Sequence, residues 1–347
     1  MAGGMKGIRM DAYCAGCRDS VFRHIRKYLE KKTAVLPPSM KRCVVDYPYR
    51  RGKAVRPTMV MLFNDAYGGD RAAALKVAAV YQLLEDWGLG RDDILDGAAL
   101  RRGAPSLHLL YGLPKAINAL DMLHVYIGDM LYSYCGLSPS RYAAIRGLFT
   151  EAASVTLTGQ HLDLEARDVP LEGFTEDAYM DIARKKTGFY TGAAPCLLGA
   201  TLADEKAGLG DIKKFGLMLG TAFQIMDDVL DVENDGTGKF GKIPGNDIIE
   251  GKRTLVALTA LKSLKPRERK ELARFYALTP DKKTPGRVAA VRKTILSSGA
   301  PALCRQKARK LVLGALRIFE KAIFPGMRRP YGGLIKEFVL RLSDRTA

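Results

Sequence analysis

Apolar residues recur at helical spacing along almost the whole chain. Val21, Phe22, Ile25, Tyr28 and Leu29 fall at positions i, i+1, i+4, i+7 and i+8, which form one stripe of an amphipathic helix. The same period predicts helices over 53–67, 72–98, 114–135, 140–166, 175–203, 208–234, 247–263, 285–297, 300–324 and 331–343. No segment shows the strict alternation of a half-buried strand. The pattern therefore predicts an all-α protein.

Glycine and proline mark the connections between the predicted helices. Pro139, Pro170 and the segment from Gly236 to Gly245 interrupt the apolar pattern. None of the breaks is long enough, or biased enough in composition, to divide two domains. We therefore predict one all-helical domain over residues 1–347.

The charge of the chain predicts an anionic partner. Lys and Arg number 55 against 37 Asp and Glu, which gives a formal net charge of +18. Such an excess attracts nucleic acid, a lipid surface or a polyphosphate substrate. No zinc-finger spacing, recognition-helix motif or RNA-binding aromatic run accompanies it, so we predict no specific nucleic acid partner. Peripheral contact with an anionic membrane stays open.

The cysteines and the N-terminus indicate a cytoplasmic protein. Six cysteines in a chain of 347 residues do not form a disulfide framework, and reduced thiols fit the cytosol. The lone pair Cys14 and Cys17 is more consistent with two ordinary thiols than with a zinc or redox site. Lys6 and Arg9 precede polar residues rather than an apolar signal core, and no run reaches about 18 uncharged apolar residues.

Two separate acidic boxes carry the strongest chemical signal. Asp92 and Asp96 lie one turn apart on a predicted helix and share one face, and Asp227 and Asp231 repeat this arrangement. Both boxes fall among apolar residues, where carboxylates require positive charge or a metal ion. Magnesium accepts carboxylate oxygens and bridges them to substrate phosphates. We therefore predict a magnesium and diphosphate site rather than two solvated helix ends.

Basic residues recur in order around the boxes. A metal-bound diphosphate still attracts cations, so Lys and Arg should converge on it. The candidates are Lys53, Arg56, Arg101, Arg102, Lys186, Lys242 and Lys252. Any one of them could be an ordinary solvated side chain, and their recurrence beside the boxes favours a binding site.

These motifs together resemble the trans-isoprenyl diphosphate synthases, the prenyltransferases that make farnesyl, geranylgeranyl and longer diphosphates. The resemblance runs from about Lys53 to Leu258. It rests on GKAVRP (from Gly52), DDILD (from Asp92), RRGAPSLH (from Arg101), GQH (from Gly159), KKTGFYT (from Lys185), FQIMDDVLD (from Phe223) and GKIPGNDIIEGKRT (from Gly241). It implies an all-α fold with helices around a deep central cavity, and a homodimer.

The resemblance also implies a role for each motif residue. Lys53, Arg56 and Arg102 would bind the diphosphate of isopentenyl diphosphate, and Arg101, Lys186, Lys242 and Lys252 that of the allylic substrate. Asp92, Asp96 and Asp227 would bind Mg²⁺, three ions per site, while Thr187 and Gln224 would line the reacting centre. The implied reaction ionises the allylic diphosphate, condenses it with isopentenyl diphosphate and eliminates a proton.

Four positions depart from the family pattern, three of them just before the first box. Glu85 stands where His or Gln is common, Gly90-Arg91 replaces Ile-His, and Leu120 replaces Gly. Trp87 would form the floor that stops the growing product, and Gly88 beside it leaves space. We favour geranylgeranyl diphosphate as the product, with farnesyl and C25 (geranylfarnesyl) diphosphate as alternatives. A terpene cyclase and a non-catalytic regulatory subunit are alternatives of other classes.

Overall fold

The computed structural model describes residues 9–206, 208–234 and 243–343. Helices dominate this part of the chain, which confirms the all-α prediction. They are α1 (Met10–Lys32), α2 (Pro38–Tyr49), α3 (Val55–Tyr67), α4 (Arg71–Leu95), α5 (Leu107–Tyr111), α6 (Leu113–Asp129), α7 (Pro139–Ala166), α8 (Glu176–Ala183), α9 (Ala194–Leu202), α10 (Leu209–Glu233), α11 (Asn246–Glu250), α12 (Leu255–Ser263), α13 (Pro266–Tyr276), α14 (Pro285–Ser297), α15 (Ala300–Ile318) and α16 (Tyr331–Ser343).

Shorter elements continue or connect these helices. Segments of π-helix follow α6, α8 and α15, at Met130–Tyr134, Arg184–Ala193 and Phe319–Ile323. Turns of 3₁₀-helix occupy Thr33–Val35, Leu171–Gly173, Pro280–Lys282 and Phe324–Gly326. One hairpin of two-residue strands, β1 (Leu100–Arg101) and β2 (Ala104–Pro105), lies where no strand was expected.

The predicted helix over 247–263 is interrupted by a loop. Gly251 adopts a left-handed φ of +74°, which ends α11. Thr254 then accepts a hydrogen bond from the Ala257 amide at 3.2 Å and begins α12 as its N-cap. Lys252 consequently lies in a loop between two capped helices. The apolar pattern also failed to predict α2 and α13.

The chain divides into two compact units, and the first contains the helices up to α6 together with α9. It comprises the described parts of Met1–Thr150, Ala194–Lys213 and Phe319–Phe338. In this unit α3 packs against α9 and α4, while α4 also contacts α1 and α6. The α3–α9 contact is close because Gly199 has no side chain: a Cβ there would lie 2.3 Å from the Val60 carbonyl oxygen.

The second unit comprises Glu151–Ala193, Lys214–Ile318 and the described part of Val339–Ala347. In it α12 packs against α13, α14 and α15. The π-helical segment after α8 lies directly against α10 at two glycine pairs. A Cβ on Gly192 would lie 1.9 Å from the Gly216 carbonyl oxygen, and one on Gly220 would lie 2.4 Å from the Gly188 carbonyl oxygen. Only glycine permits this separation of the two backbones.

Two smaller predictions can be compared with these units. Cys14 and Cys17 lie on α1, and none of the six cysteines, all within the described residues, forms a disulfide. Across the described ranges, none of the helices combines the length and apolar character needed to cross a membrane. The single domain and the central cavity stay predictions.

Candidate active site

The first acidic box lies at the C-terminal end of α4, in the first unit. Asp92 remains partly exposed, at 23 % of its side-chain surface, and Asp96 is the partly exposed residue that ends the helix. Asp93 instead points inward and is fully buried. Its carboxylate accepts hydrogen bonds from the Tyr47 hydroxyl at 2.5 Å and from Arg101 Nε at 3.0 Å. The middle aspartate of the box therefore anchors Arg101.

The hairpin after the box positions two arginines by means of a strained turn. Arg102 and Gly103 occupy the turn with φ values of +53° and +75°, and positive φ at both positions is what a two-residue hairpin requires. Arg50 braces the hairpin, because its guanidinium donates to the Arg101 carbonyl at 2.9 Å and the Pro105 carbonyl at 2.8 Å. Arg101 Nη2 lies 3.7 Å from Asp92 Oδ2, which places this cation beside the box.

Two further acids lie against the arginines predicted to bind isopentenyl diphosphate. Arg56 Nη1 is 2.9 Å from Glu85 Oε1, and Arg102 Nη2 is 2.8 Å from Asp86 Oδ1. Burial raises the pKa of Asp86 to about 6, although the adjacent Arg102 opposes that shift. Lys53, predicted to bind the same diphosphate, is exposed just before α3. Two of these three cations, Arg56 and Arg102, thus already contact carboxylates.

Trp87 and Gly88 occupy the same helix one to two turns before the box. The Trp87 ring stacks on His124 of α6, with centroids 4.9 Å apart, and the Arg91 guanidinium lies 5.6 Å from its centroid. A Cβ added to Gly88 would meet no atom within 4 Å, so open space lies beside this position.

Two departures from the family pattern explain each other. A Cβ added to Gly90 would lie 2.5 Å from a methyl group of Leu120. Leu120 therefore occupies the volume that a larger residue at position 90 would take. A small residue, Gly90, replaces a large one on α4, and a large residue, Leu120, replaces a small one on α6. The packed volume therefore stays roughly constant.

The second acidic box lies on α10, in the second unit, and its first two aspartates repeat the division of roles seen in the first box. Asp227 is partly exposed, whereas Asp228 and Asp231 are buried. Asp228 accepts hydrogen bonds from the Tyr179 hydroxyl at 2.6 Å and from Gln224 Nε2 at 2.7 Å. Burial raises the pKa of Asp228, and the nearby charge of Asp247 raises it further.

The π-helical segment brings Lys186 and Thr187 to this box. The Thr187 hydroxyl donates to the Gln224 side-chain carbonyl, so Thr187, Gln224 and Asp228 form one chain of hydrogen bonds. Lys186 Nζ donates to Asp163 of α7 at 2.8 Å. Burial opposes ionisation of Asp163, but the charges of Lys186 and Lys252 outweigh it and lower its pKa.

Lys252 completes the described part of this half-site. Lys252 lies in the loop between α11 and α12. Its Nζ is 2.6 Å from Glu250 Oε2 and 3.4 Å from Asp247 Oδ1, both on α11. Lys242, also predicted to bind the allylic diphosphate, lies outside the described residues. Within the ranges the structure describes, no three His, Cys, Asp or Glu side chains form a ready metal site.

The structure thus assembles the predicted residues in two groups, one in each unit. The first unit holds Lys53, Arg56, Trp87, Gly88, Asp92, Asp96, Arg101 and Arg102, and the second holds Lys186, Thr187, Gln224, Asp227 and Lys252. Sequence reasoning missed the anchors Tyr47, Asp93, Asp163 and Tyr179. The repeated Asp-Asp pair could have indicated Asp93, because two adjacent carboxylates on a helix cannot point in the same direction.

Comparison with known proteins identifies the family of this chain. Residues 38–295 match the family model described as polyprenyl synthetase. The chain is 37 % identical over 238 residues to a short chain isoprenyl diphosphate synthase of Methanothermobacter thermautotrophicus, covering 64 % of this chain and 66 % of the relative. It is 34 % identical over 223 residues to a geranylgeranyl diphosphate synthase of Sulfolobus acidocaldarius, covering 63 % and 66 %.

A solved structure shows the same fold. Geranylgeranyl pyrophosphate synthase from Corynebacterium glutamicum, complexed with isoprenyl diphosphate and magnesium, superposes with a TM-score of 0.85 at 24 % identity, over 98 % of this chain and all of that one. The chain belongs to the polyprenyl synthetase family. The aligned segment spans about two thirds of the length of the curated relatives.

Proposed function

We propose that this protein is a magnesium-dependent trans-prenyltransferase that condenses isopentenyl diphosphate with an allylic diphosphate. The observation that carries the proposal is the shared design of the two acidic boxes. In each box the middle aspartate is buried and anchors neighbouring side chains, while the first, Asp92 or Asp227, remains partly exposed, Asp92 beside Arg101. A box that served only as a helix end would have no reason to repeat this division.

The donor set of the boxes fits magnesium. Asp92, Asp96 and Asp227 offer only carboxylate oxygens, the ligands that Mg²⁺ prefers, and Mg²⁺ commonly binds one or two carboxylates together with substrate phosphates and water. We assign these three residues to metal binding and infer three ions per site. Bound Mg²⁺ would supply positive charge to the departing diphosphate.

The surrounding cations would divide between the two substrates. Lys53, Arg56 and Arg102 would hold isopentenyl diphosphate. Arg101, Lys186 and Lys252, with Lys242, would stabilise the charge that develops on the allylic leaving group. Thr187 and Gln224, which share a hydrogen bond, would border the reacting carbon. No side chain is assigned as the base, because the released diphosphate can accept the proton.

The favoured product is geranylgeranyl diphosphate. Two lines support it: relatives that bear this name and the Trp87–His124 stack, a bulky pair suited to stop a growing chain. Farnesyl and C25 diphosphates are the alternative products.

A homodimer is the proposed assembly. Several large apolar side chains of α5, α6 and the following π-helical segment are exposed. They are Leu109, Leu110, Leu113, Ile117, Val125 and Tyr132. A concentration of exposed apolar side chains on neighbouring elements is typical of a protein interface. Peripheral membrane contact and cytoplasmic location stay predictions.

Incubation of the protein with labelled isopentenyl diphosphate, farnesyl diphosphate and Mg²⁺ tests the proposal. We expect label in a longer prenyl diphosphate. A hydrocarbon formed without uptake of label would identify a terpene cyclase. A protein that is inert with every allylic primer, but activates a second synthase, would be a regulatory subunit.

A further inference from the structure

We propose that Glu85 and Asp86 act as internal anions that compete with isopentenyl diphosphate for Arg56 and Arg102, and so set the affinity for that substrate. The inference rests on the proposed function, because it assigns these arginines to isopentenyl diphosphate. It concerns one of the positions at which this chain departs from the family pattern, where His or Gln is common and Glu85 stands instead.

The geometry shows both guanidinium groups engaged by carboxylates. Glu85 Oε1 lies 2.9 Å from Arg56 and 3.9 Å from Arg102, and Asp86 Oδ1 lies 2.8 Å from Arg102. All four side chains are at most 15 % exposed, so solvent screens these contacts weakly. A diphosphate that approaches either arginine must therefore displace a carboxylate or share the cation with it.

The second oxygens of the two acids strengthen the case for competition. Glu85 Oε2 and Asp86 Oδ2 are buried and accept no hydrogen bond from any residue in the described ranges. Carboxylates that served only to hold the arginines in place would be expected to use both oxygens, as Asp93 does. These acids instead retain unsatisfied negative charge beside the predicted anion site.

Binding of a diphosphate would make that charge more costly. Arginine cannot lose its proton to relieve the crowding, whereas Asp86, whose pKa burial raises to about 6, can gain one. The groups that face the pair are Arg56 from α3, Arg102 from the hairpin, and Tyr81 and Gln82 from α4. Competition should consequently be strongest at a pH where Asp86 is ionised.

Steady-state kinetics of Glu85→Gln test the proposal. We expect the KM for isopentenyl diphosphate to fall about three- to tenfold at pH 8, because one competing charge is removed. The KM for the allylic diphosphate and kcat should stay within about twofold of the parent values.

Glu85→His and Asp86→Asn provide second variants, and Glu30→Gln provides a matched control. Glu85→His restores a residue common in the family, and we expect it to lower the same KM. Asp86→Asn should add to the effect of Glu85→Gln. Glu30 pairs with Arg26 on the exposed surface of α1, so its neutralisation should leave every kinetic constant unchanged. Thermal unfolding curves identify any variant that fails to fold.

A KM for isopentenyl diphosphate that is unchanged or raised in both Glu85 variants would overturn the inference, because the acids would then only position the arginines. Failure of the proposed function has a different signature: the parent protein itself would incorporate no isopentenyl diphosphate.

Discussion

The two groups of candidate residues, one in each unit, use similar chemistry on different backbones. In the first unit, the cations are mainly arginines that are placed by strained turns, with Ala54 and Arg102 both at a φ of +53°. In the second unit the described cations are lysines: Lys186 lies on a π-helical segment packed on α10 through glycine pairs, and Lys252 lies in the loop between α11 and α12. Positive φ at a non-glycine residue costs free energy that surrounding contacts must offset.

The difference indicates where the site can vary. The hairpin is held by hydrogen bonds from Arg50, so it can accept changes in neighbouring side chains. The departures from the family pattern, at Glu85, Gly90, Arg91 and Leu120, all lie in the first unit. Two helices in backbone contact cannot accept added atoms. The second half should therefore tolerate substitution less well, and the first should contain the residues that tune substrate and product.

Removal of the first aspartate of either box should have the largest effect. We expect Asp92→Ala and Asp227→Ala each to lower kcat by about a thousandfold, because each removes a proposed metal ligand. Product formation at saturating Mg²⁺ measures this. Asp177→Ala, at an exposed aspartate of α8, is the charge-matched control and should retain full turnover. Near-parental turnover in either box variant would refute the metal assignment for that half.

A methyl group at the glycine contact should destabilise the second half. In Gly192→Ala the added Cβ meets the Gly216 carbonyl oxygen at 1.9 Å, so the two helices must separate. We expect a loss of about 1–3 kcal/mol in the free energy of unfolding, measured by denaturant titration. Gly147→Ala on α7 meets nothing within 4 Å and should be neutral or slightly stabilising. Equal stability of the two variants would contradict the account.

Truncation of the proposed floor should change the product without abolishing turnover. We expect Trp87→Ala to lengthen the product by one or more five-carbon units, because it removes the ring that stacks on His124. Mass spectrometry of the dephosphorylated alcohols measures the shift. Leu313→Ala, at an exposed leucine of α15, is the control and should leave the product distribution unchanged. An unaltered distribution in Trp87→Ala would assign Trp87 to packing alone.

The smallest effect concerns pH and Asp86. Its folded-state pKa of about 6 exceeds the ordinary value of 3.8, so between these values the unfolded chain is ionised while the folded chain holds a proton. The free energy of unfolding should therefore fall as the pH rises from about 4 to about 6. Above that range, this group should cause no further change. Asp86→Asn should flatten that slope in thermal unfolding. An unchanged slope would show that other groups produce it.

The sequence was sufficient for the fold class, because helical periodicity is a local property, and the spacing of its motifs predicted the candidate residues. It did not reveal the hairpin at Leu100–Pro105, whose strands are too short to alternate. It also did not reveal that Asp93 and Asp228 serve as anchors, because their partners Tyr47 and Tyr179 are distant in sequence. The Gly90–Leu120 exchange was visible as two separate departures, and only packing joined them.

The most direct test of the account is the mass of the product formed from isopentenyl diphosphate, an allylic primer and Mg²⁺. Chain elongation predicts a prenyl alcohol, after dephosphorylation, that exceeds the primer by whole five-carbon units, with the C20 alcohol predominant. A product of primer mass, or a cyclised hydrocarbon of that size, would contradict the assignment of Lys53, Arg56 and Arg102 to a second substrate.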